Sequence, residues 1–109
     1  MLSNLQEEGR KKCDQYWPSN ISSPIVFEKF KITLENEDFI LDKAVMQRNF
    51  IIHDEENCKK HNVTQLHVVC WPDHSIPEEE SGYKAIDLLI SYVDDYSNCY
   101  KSPIVTHCR

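Results

Sequence analysis

Short runs of alternating apolar and polar residues, followed by a change to helical spacing, are the feature that most constrains the fold of this chain. In residues 26–34 the even-numbered positions are apolar except Glu28, as expected of a strand with one buried face. The polar residues 36–38 predict a turn, and the apolar pattern resumes over residues 39–52 with an interruption at 42–43. The first half of the sequence therefore predicts an antiparallel meander.

The second half of the sequence passes from strand spacing to helix spacing. It predicts a charged loop at residues 54–62, another strand at 63–71, and an irregular loop at 72–77, which begins and ends with proline. Acidic residues then favour a helix start, and apolar residues recur at intervals of three and four. These helix positions are Tyr83, Ile86, Leu89, Ile90, Val93 and Tyr96. Residues 103–108 predict a buried strand, which with the helix indicates the α/β class.

Composition and charge limit the classes of protein to which this chain can belong. Its 109 residues and 40% hydrophobic content fit one small domain with a core. With 12 Lys and Arg against 18 Asp and Glu, the formal charge of −6 argues against broad nucleic-acid binding or electrostatic attachment to an anionic membrane. No apolar run approaches the roughly 18 residues of a membrane span. We therefore expect a soluble cytoplasmic chain. If it belongs to a membrane receptor, we expect the membrane anchor to lie outside these residues.

The cysteines show no paired spacing, which fits reduced cytoplasmic thiols better than a disulfide framework. They are Cys13, Cys58, Cys70, Cys99 and Cys108. One set of possible zinc ligands is His53, Cys58, His61 and His67. Because the spacing of that set follows no standard zinc pattern, we predict no metal and no cofactor.

Four sequence blocks, in order and in spacing, resemble the middle of a cysteine-dependent protein tyrosine phosphatase domain. They are residues 12–18 (KCDQYWP), 63–67 (VTQLH), 71–77 (WPDHSIP) and 103–108 (PIVTHC). Each block is weakly specific by itself, whereas four in register are far more specific. The resemblance implies a twisted mixed β-sheet flanked by helices, with residues 1–109 forming part of one phosphatase domain.

The same resemblance implies two catalytic residues, Cys108 as the nucleophile and Asp73 as the general acid and base. A thiolate suits phosphoryl transfer near neutral pH when positive dipoles lower its pKa from about 8.5. A carboxylic acid helps the leaving phenolate, whose pKa is near 10, and the resulting carboxylate can then activate water. The implied substrates are phosphotyrosine-containing proteins, hydrolysed through a cysteinyl-phosphate intermediate.

The sequence departs from the family pattern after the cysteine. In the family a glycine-rich loop follows and closes with an arginine six positions later, whereas Arg109 directly follows Cys108 here. Backbone N–H groups of that loop and a helix N-terminus hold the phosphate in the family. Ser75 stands where glycine is usual, and Thr106 where valine is common. We therefore expect a domain truncated before the phosphate-binding loop and inactive as an isolated chain.

Each candidate residue also has an interpretation without catalysis. Cys108 taken alone would be an ordinary thiol, and Asp73 after a proline would be a turn former. His74 and His107 fit structural roles through hydrogen bonds, and the basic residues 10–12 fit a solvated face. The second hypothesis is therefore a non-catalytic pseudophosphatase or short interaction module. The presence of both Asp73 and Cys108 favours the enzyme.

Overall fold

The computed structural model describes residues 1–41, 43–72, 76 and 80–108, which contain a small hairpin, a four-stranded sheet and one helix. The hairpin pairs β1 (Gln6–Glu7) with β2 (Arg10–Lys11). The sheet has the order β3 (Ile25–Phe27), β4 (Phe30–Ile40), β5 (Val45–Asp54) and β6 (Lys59–Val68), and α1 spans Glu80–Cys99. The α/β class is confirmed, and the described strands all pair antiparallel. Among these residues no helix has both the length and the apolar character to cross a bilayer.

The strand predicted for residues 26–34 is divided by a turn at Glu28 and Lys29. Phe27 pairs with Phe30 across this turn, and Glu28 has a left-handed backbone with φ of 52°. The break in the apolar alternation at Glu28 marks the turn, because a charged side chain avoids the buried face of a sheet. β3 consequently forms a short strand at the edge of the sheet.

The turn predicted at residues 36–38 is wrong, because β4 continues through them. A β-bulge directly before Asn36 takes up one extra residue. Beyond the bulge Glu37 pairs with Arg48. Asn36 pairs with Asn49, whose Nδ2 donates to Asn36 Oδ1 at 2.7 Å. Polar cross-strand partners therefore extend a strand where composition alone predicts a turn.

The charged loop predicted at residues 54–62 is shorter than expected, because β6 begins at Lys59. The Asp54 carboxylate stabilises the turn by accepting hydrogen bonds from Asn57 N at 3.2 Å and Asn57 Nδ2 at 2.7 Å. Cys58 ends the turn in a left-handed conformation with φ of 53°. Charged side chains stay solvated at the end of this hairpin while their backbones pair, so charge does not prevent strand formation.

The predicted helix is confirmed, and it packs against one face of the sheet. The predicted apolar face is only partly correct, because Tyr83, Ile90 and Val93 are exposed. Ala85 of α1 is fully buried in a cluster with Val45 and Val68 of the sheet. A second buried cluster contains Met1, Trp17, Leu34 and Phe50. Because Val45 and Phe50 are an odd number of residues apart in β5, the two clusters lie on opposite faces. The helix covers one face, and the segment containing Trp17 covers the other.

The buried strand predicted at residues 103–108 is wrong. These residues form no strand, and most are exposed, with Val105 at 80%. The backbone of this segment contacts the start of the chain, where Leu2 N–H donates to the His107 carbonyl at 3.2 Å. An apolar run forms a buried strand when a neighbouring strand satisfies its backbone groups, and the described residues supply none here.

Candidate active site

A cavity of about 250 Å³ brings together residues from both ends of the sequence. Cys108 lines it together with Lys12, Trp71 and Pro72. Lys12 directly follows β2, and Trp71 and Pro72 follow the end of β6. The small hairpin and the sheet thus place residues from three of the four sequence blocks around one space.

The residues around this cavity define what it can do chemically. Cys108 is exposed and not part of a disulfide. Lys12 is half-buried, and its cationic side chain attracts anions. Trp71 and Pro72 supply an apolar wall suited to an aromatic group. Glu7 also lines the cavity, so its lining carries both charges. The arrangement fits attack by the sulfur of Cys108 on an electrophile carried by an aryl group.

The predicted acid, Asp73, lies outside the described residues, as do His74, Ser75 and Arg109. Its sequence neighbour Pro72 lines the cavity. The catalytic role of Asp73 therefore stays a prediction.

His107 connects Cys108 to Tyr16 through its two ring nitrogens. Nε2 lies 2.7 Å from Tyr16 Oη, and Nδ1 lies 2.9 Å from the carbonyl oxygen of Cys108. Tyr16 packs edge-on against the buried ring of Trp17, with centroids 5.0 Å apart. His107 therefore makes hydrogen-bonding contacts with its neighbours, and its structural role stays a prediction.

A buried arginine lies on the sheet face that Trp17 covers. Arg48 is 8% exposed, forms an ion pair with Glu37, and has its guanidinium 4.6 Å from the centroid of the Trp17 ring. Its Nη1 lies 3.0 Å from Gln65 Oε1 and 3.2 Å from His67 Nδ1. A buried guanidinium requires a charge partner and hydrogen-bond acceptors, and this cluster supplies both.

Burial is the main cause that lowers the pKa of His67 below its usual 6.5, and the charge of Arg48 acts in the same direction. The contact with the Ser3 carbonyl, at 2.8 Å from Nε2, acts in the opposite direction. Because the guanidinium can only donate, Nδ1 accepts and Nε2 carries the proton. Both nitrogens of this possible zinc ligand are thus engaged, and no three metal-ligating groups gather in the described part of the chain.

Sequence reasoning missed four residues of this region, namely Lys12, Tyr16, Arg48 and Gln65. The sequence assigns residues 10–12 to a solvated face, whereas Lys12 lines the cavity. Signals existed for all four. Lys12 and Tyr16 lie in the first family-like block, and Gln65 lies in the second. Arg48 occupies an apolar-face position of its strand.

Comparisons with known proteins agree on one family. The whole chain, residues 1–109, matches the family model described as protein-tyrosine phosphatase. It is 34% identical to the receptor-type tyrosine-protein phosphatase eta of Gallus gallus over 113 residues, covering 99% of this chain. It is 35% identical to the tyrosine-protein phosphatase non-receptor type 12 of Homo sapiens over 102 residues, covering 94% of the chain. It is 32% identical to the tyrosine-protein phosphatase 1 of Caenorhabditis elegans, covering 99% of the chain.

The matched region is a small part of each of these proteins. The chain spans 7%, 12% and 10% of the lengths of the three relatives, respectively. The relatives include both receptor-type and non-receptor proteins.

Proposed function

This chain belongs to the protein-tyrosine phosphatase family, and from that premise we propose that it contributes the nucleophile and the acid of phosphotyrosine hydrolysis. Cys108 is the nucleophile, and Asp73 is the general acid and then the base. The observation that carries this assignment is the cavity in which Cys108 lies with Lys12 and Pro72, the residue directly before Asp73. The proposed substrates are proteins that bear phosphotyrosine.

The proposed reaction has two steps. In the first, the thiolate of Cys108 forms a bond to phosphorus, the bond from phosphorus to the tyrosine oxygen breaks, and that oxygen takes a proton from Asp73. In the second, the carboxylate of Asp73 takes a proton from water, whose oxygen attacks phosphorus and releases phosphate and the thiolate. Lys12 attracts the phosphate group electrostatically, and Trp71 contacts the aryl ring.

Holding the phosphate requires more donors than Lys12 supplies. In the family these donors follow the cysteine, and within these 109 residues Cys108 is followed by Arg109. We therefore expect the 109-residue chain to react at Cys108 without turning over phosphotyrosine, and turnover to appear in a domain that supplies the donors. The free state of all five cysteines supports a cytoplasmic location.

Thiol alkylation tests the cavity in the 109-residue chain itself. The rates of Cys108 modification by iodoacetate, an anion, and by neutral iodoacetamide are compared by mass spectrometry, with exposed Cys99 as the internal reference. Lys12→Met should lower the ratio of the two rates at Cys108 by roughly two- to fivefold, the effect of removing one nearby charge in water. Lys11→Met is the matched control, because Lys11 pairs with Asp14 at the surface. An equal effect of both variants would contradict the assignment of Lys12.

A chimera tests the chemistry. Residues 1–109 replace the matching segment of the human non-receptor type 12 relative, which is 35% identical. We expect turnover of a phosphotyrosine peptide and of 4-nitrophenyl phosphate, with complete loss in Cys108→Ser. Turnover that survives this substitution would overturn the nucleophile assignment. A folded chimera that binds the peptide without turnover would instead support the non-catalytic interaction module.

A further inference from the structure

We propose that Arg48 and Gln65 set the tautomer of His107 and thereby position the backbone of Cys108. Arg48 and Gln65 are positioning residues, separated from the reacting sulfur by Tyr16 and His107. The inference rests on the proposed function only in taking Cys108 as the reacting residue. It is carried by a series of hydrogen bonds whose direction is determined at every step.

The series starts at Arg48, which can donate hydrogen bonds but cannot accept them. Its position is maintained by the ion pair with Glu37 and by the Trp17 ring. Nη1 lies 3.0 Å from the side-chain oxygen of Gln65. Since only the oxygen of an amide accepts, Arg48 determines which way the Gln65 side chain is turned.

The orientation of the Gln65 amide determines that Gln65 donates a hydrogen bond to Tyr16. With its oxygen facing Arg48, the amide points Nε2 at Tyr16 Oη, and the distance between these atoms is 2.9 Å. The phenolic oxygen therefore accepts from Gln65. Its single proton is then available for His107 Nε2, which lies 2.7 Å away. The alternative acceptor is the sulfur of Met1 at 3.9 Å, a longer and weaker contact.

His107 must then accept at Nε2 and carry its proton on Nδ1. The same tautomer follows independently from the other side of the ring, because Nδ1 lies 2.9 Å from the carbonyl oxygen of Cys108 and a carbonyl can only accept. The carbonyl of His107 in turn accepts from Leu2 N–H at 3.2 Å. Hydrogen bonds thus engage two successive carbonyls, that of the peptide joining His107 to Cys108 and that of Cys108 itself.

The position of this peptide depends on the series, because no neighbouring strand among the described residues holds the segment 103–108. Residues 103–108 form no strand, and Cys108 itself is exposed. Reversing the Tyr16 to His107 hydrogen bond would move the His107 proton to Nε2 and leave the Cys108 carbonyl without its donor. Gln65 opposes this reversal, since its N–H occupies an acceptor position of Tyr16 Oη and the Tyr16 proton would then turn to the weaker contact with the Met1 sulfur.

Gln65→Glu should reverse the hydrogen bond between Tyr16 and His107. The substitution keeps the shape of the side chain and an oxygen that accepts from Arg48. The new carboxylate accepts a hydrogen bond from the Tyr16 O–H, so Tyr16 Oη accepts from His107 Nε2–H. The measurement is nitrogen-15 NMR of the 109-residue chain labelled at histidine, at about pH 8, where an ordinary imidazole with a pKa of about 6.5 is neutral. The Nδ1–H form of His107 should predominate in the unmodified chain. Gln65→Glu should shift the tautomer ratio towards Nε2–H by about tenfold, the equilibrium weight of one hydrogen bond.

Gln47→Glu is the matched control, because it makes the same chemical change on β5, where the Gln47 side chain accepts from Tyr92. We expect no change at His107 in this variant. Tyr16→Phe is the second variant, and it should weaken the preference of His107 for Nδ1–H, which the contact with the Cys108 carbonyl alone then favours. Amide NMR spectra of each variant verify that the chain is folded.

The outcomes separate this inference from the proposed function. A His107 that carries its proton on Nε2 in the unmodified chain, or that responds equally to Gln65→Glu and Gln47→Glu, would overturn the inference whatever the chimera does. A lower kcat in the chimera with Gln65→Glu, at unchanged KM and with the tautomer shift, would support it. Turnover that survives Cys108→Ser would overturn the nucleophile assignment and leave the tautomer result standing.

Discussion

Strand β5 and the segment 103–108 both contain runs of apolar residues, yet the structure buries or half-buries β5 and leaves most of the segment exposed. Val45 in β5 has no exposed surface, whereas Val105 is 80% exposed. The side chains are identical, so the difference arises from the backbone. β5 has a hydrogen-bonded neighbour on each side, and the segment around Val105 has none among the described residues. An apolar pattern therefore buries a strand when a partner strand is present to pair with it.

The two regions also differ in how they are held. The sheet is stabilised by many backbone hydrogen bonds and two apolar clusters. The segment that contains Cys108 is held by one backbone hydrogen bond, from Leu2 N–H to the His107 carbonyl, and by side-chain contacts of His107 with Tyr16 and with the Cys108 carbonyl. Substitutions in the first region should change stability, and substitutions around the cavity should change chemistry.

The largest effect is expected for Asp73→Ala in the chimera described above. Turnover should fall by roughly two to four powers of ten, the contribution of a positioned general acid. Substrate binding and the unfolding midpoint should change little, because the loss arises in the transition state. The measurement is kcat across aryl phosphates of different leaving-group pKa.

The dependence on the leaving group distinguishes an acid from a turn former. Good leaving groups need little protonation, so the deficit of Asp73→Ala should shrink as their pKa falls. An equal deficit for all leaving groups, together with a lower unfolding midpoint, would show that Asp73 acts through structure.

The next prediction compares the substitution of valine by alanine at a buried and at an exposed position. Val45→Ala removes two buried methyl groups and should lower the free energy of unfolding by about 2 kcal/mol. Val105→Ala, at an exposed position, should change it by no more than about 0.5 kcal/mol. Urea unfolding of the 109-residue chain followed by circular dichroism measures both. Equal losses would mean that the segment 103–108 is buried in solution, and would break the comparison between the two regions.

A smaller effect concerns the pH dependence of stability through His67. Burial lowers the pKa of His67 in the folded chain below 6.5. Between the ordinary value and the lower folded value, the unfolded chain binds a proton that the folded chain does not, so stability falls as pH decreases through this interval. His67→Gln retains an acceptor for Arg48 and a donor for Ser3, and should flatten this part of the pH profile. His61→Gln, at an exposed position of the same strand, should leave the profile unchanged.

The smallest effect is expected at the turn between β5 and β6. The hydrogen bond from the Asn57 side chain is the main cause that lowers the pKa of Asp54 below 3.8. The unfolded chain then binds more protons just below that value, and the stability from this carboxylate is lost as pH falls through the interval. Asn57→Ala should raise the pKa of Asp54 and reduce the loss of stability on acidification through this interval. Carbon-13 NMR titration of the Asp54 carboxyl measures this pKa. An unchanged titration in Asn57→Ala would contradict the Asn57 hydrogen bond as the main cause of the lowered pKa.

The elements that sequence predicted well are those with local causes. The helix is confirmed because its apolar positions repeat at helical spacing within one segment. The turn at Glu28 was not predicted, although a charged residue on the apolar side of the predicted strand marks its position. The turn predicted at residues 36–38 failed, because Arg48 and Asn49 on the next strand pair with these residues and keep them extended.

The candidate site also contains residues that the sequence identified and residues whose role only the structure revealed. Cys108 and Asp73 were identified through family resemblance, and the structure places Cys108 in a cavity with Lys12. The role of Asp73 stays a prediction, since the described residues do not include it. Gln65 lies in a family-like block, but its role could not be identified from sequence, because that role depends on the distances from its two side-chain atoms to Arg48 and Tyr16.

The sequence by itself determined the α/β class, the position of the helix and the family to which the chain belongs. Periodicity and short motifs are properties of neighbouring residues, so they can be recognised before any contact is known. The tertiary structure alone decided that residues 103–108 stay uncovered and that Arg48, Gln65, Tyr16 and His107 meet. A hydrogen bond requires two atoms from distant parts of the chain to lie about 3 Å apart in the correct orientation. Strand register and the packing of the Trp17 segment set those distances, and no local pattern encodes them.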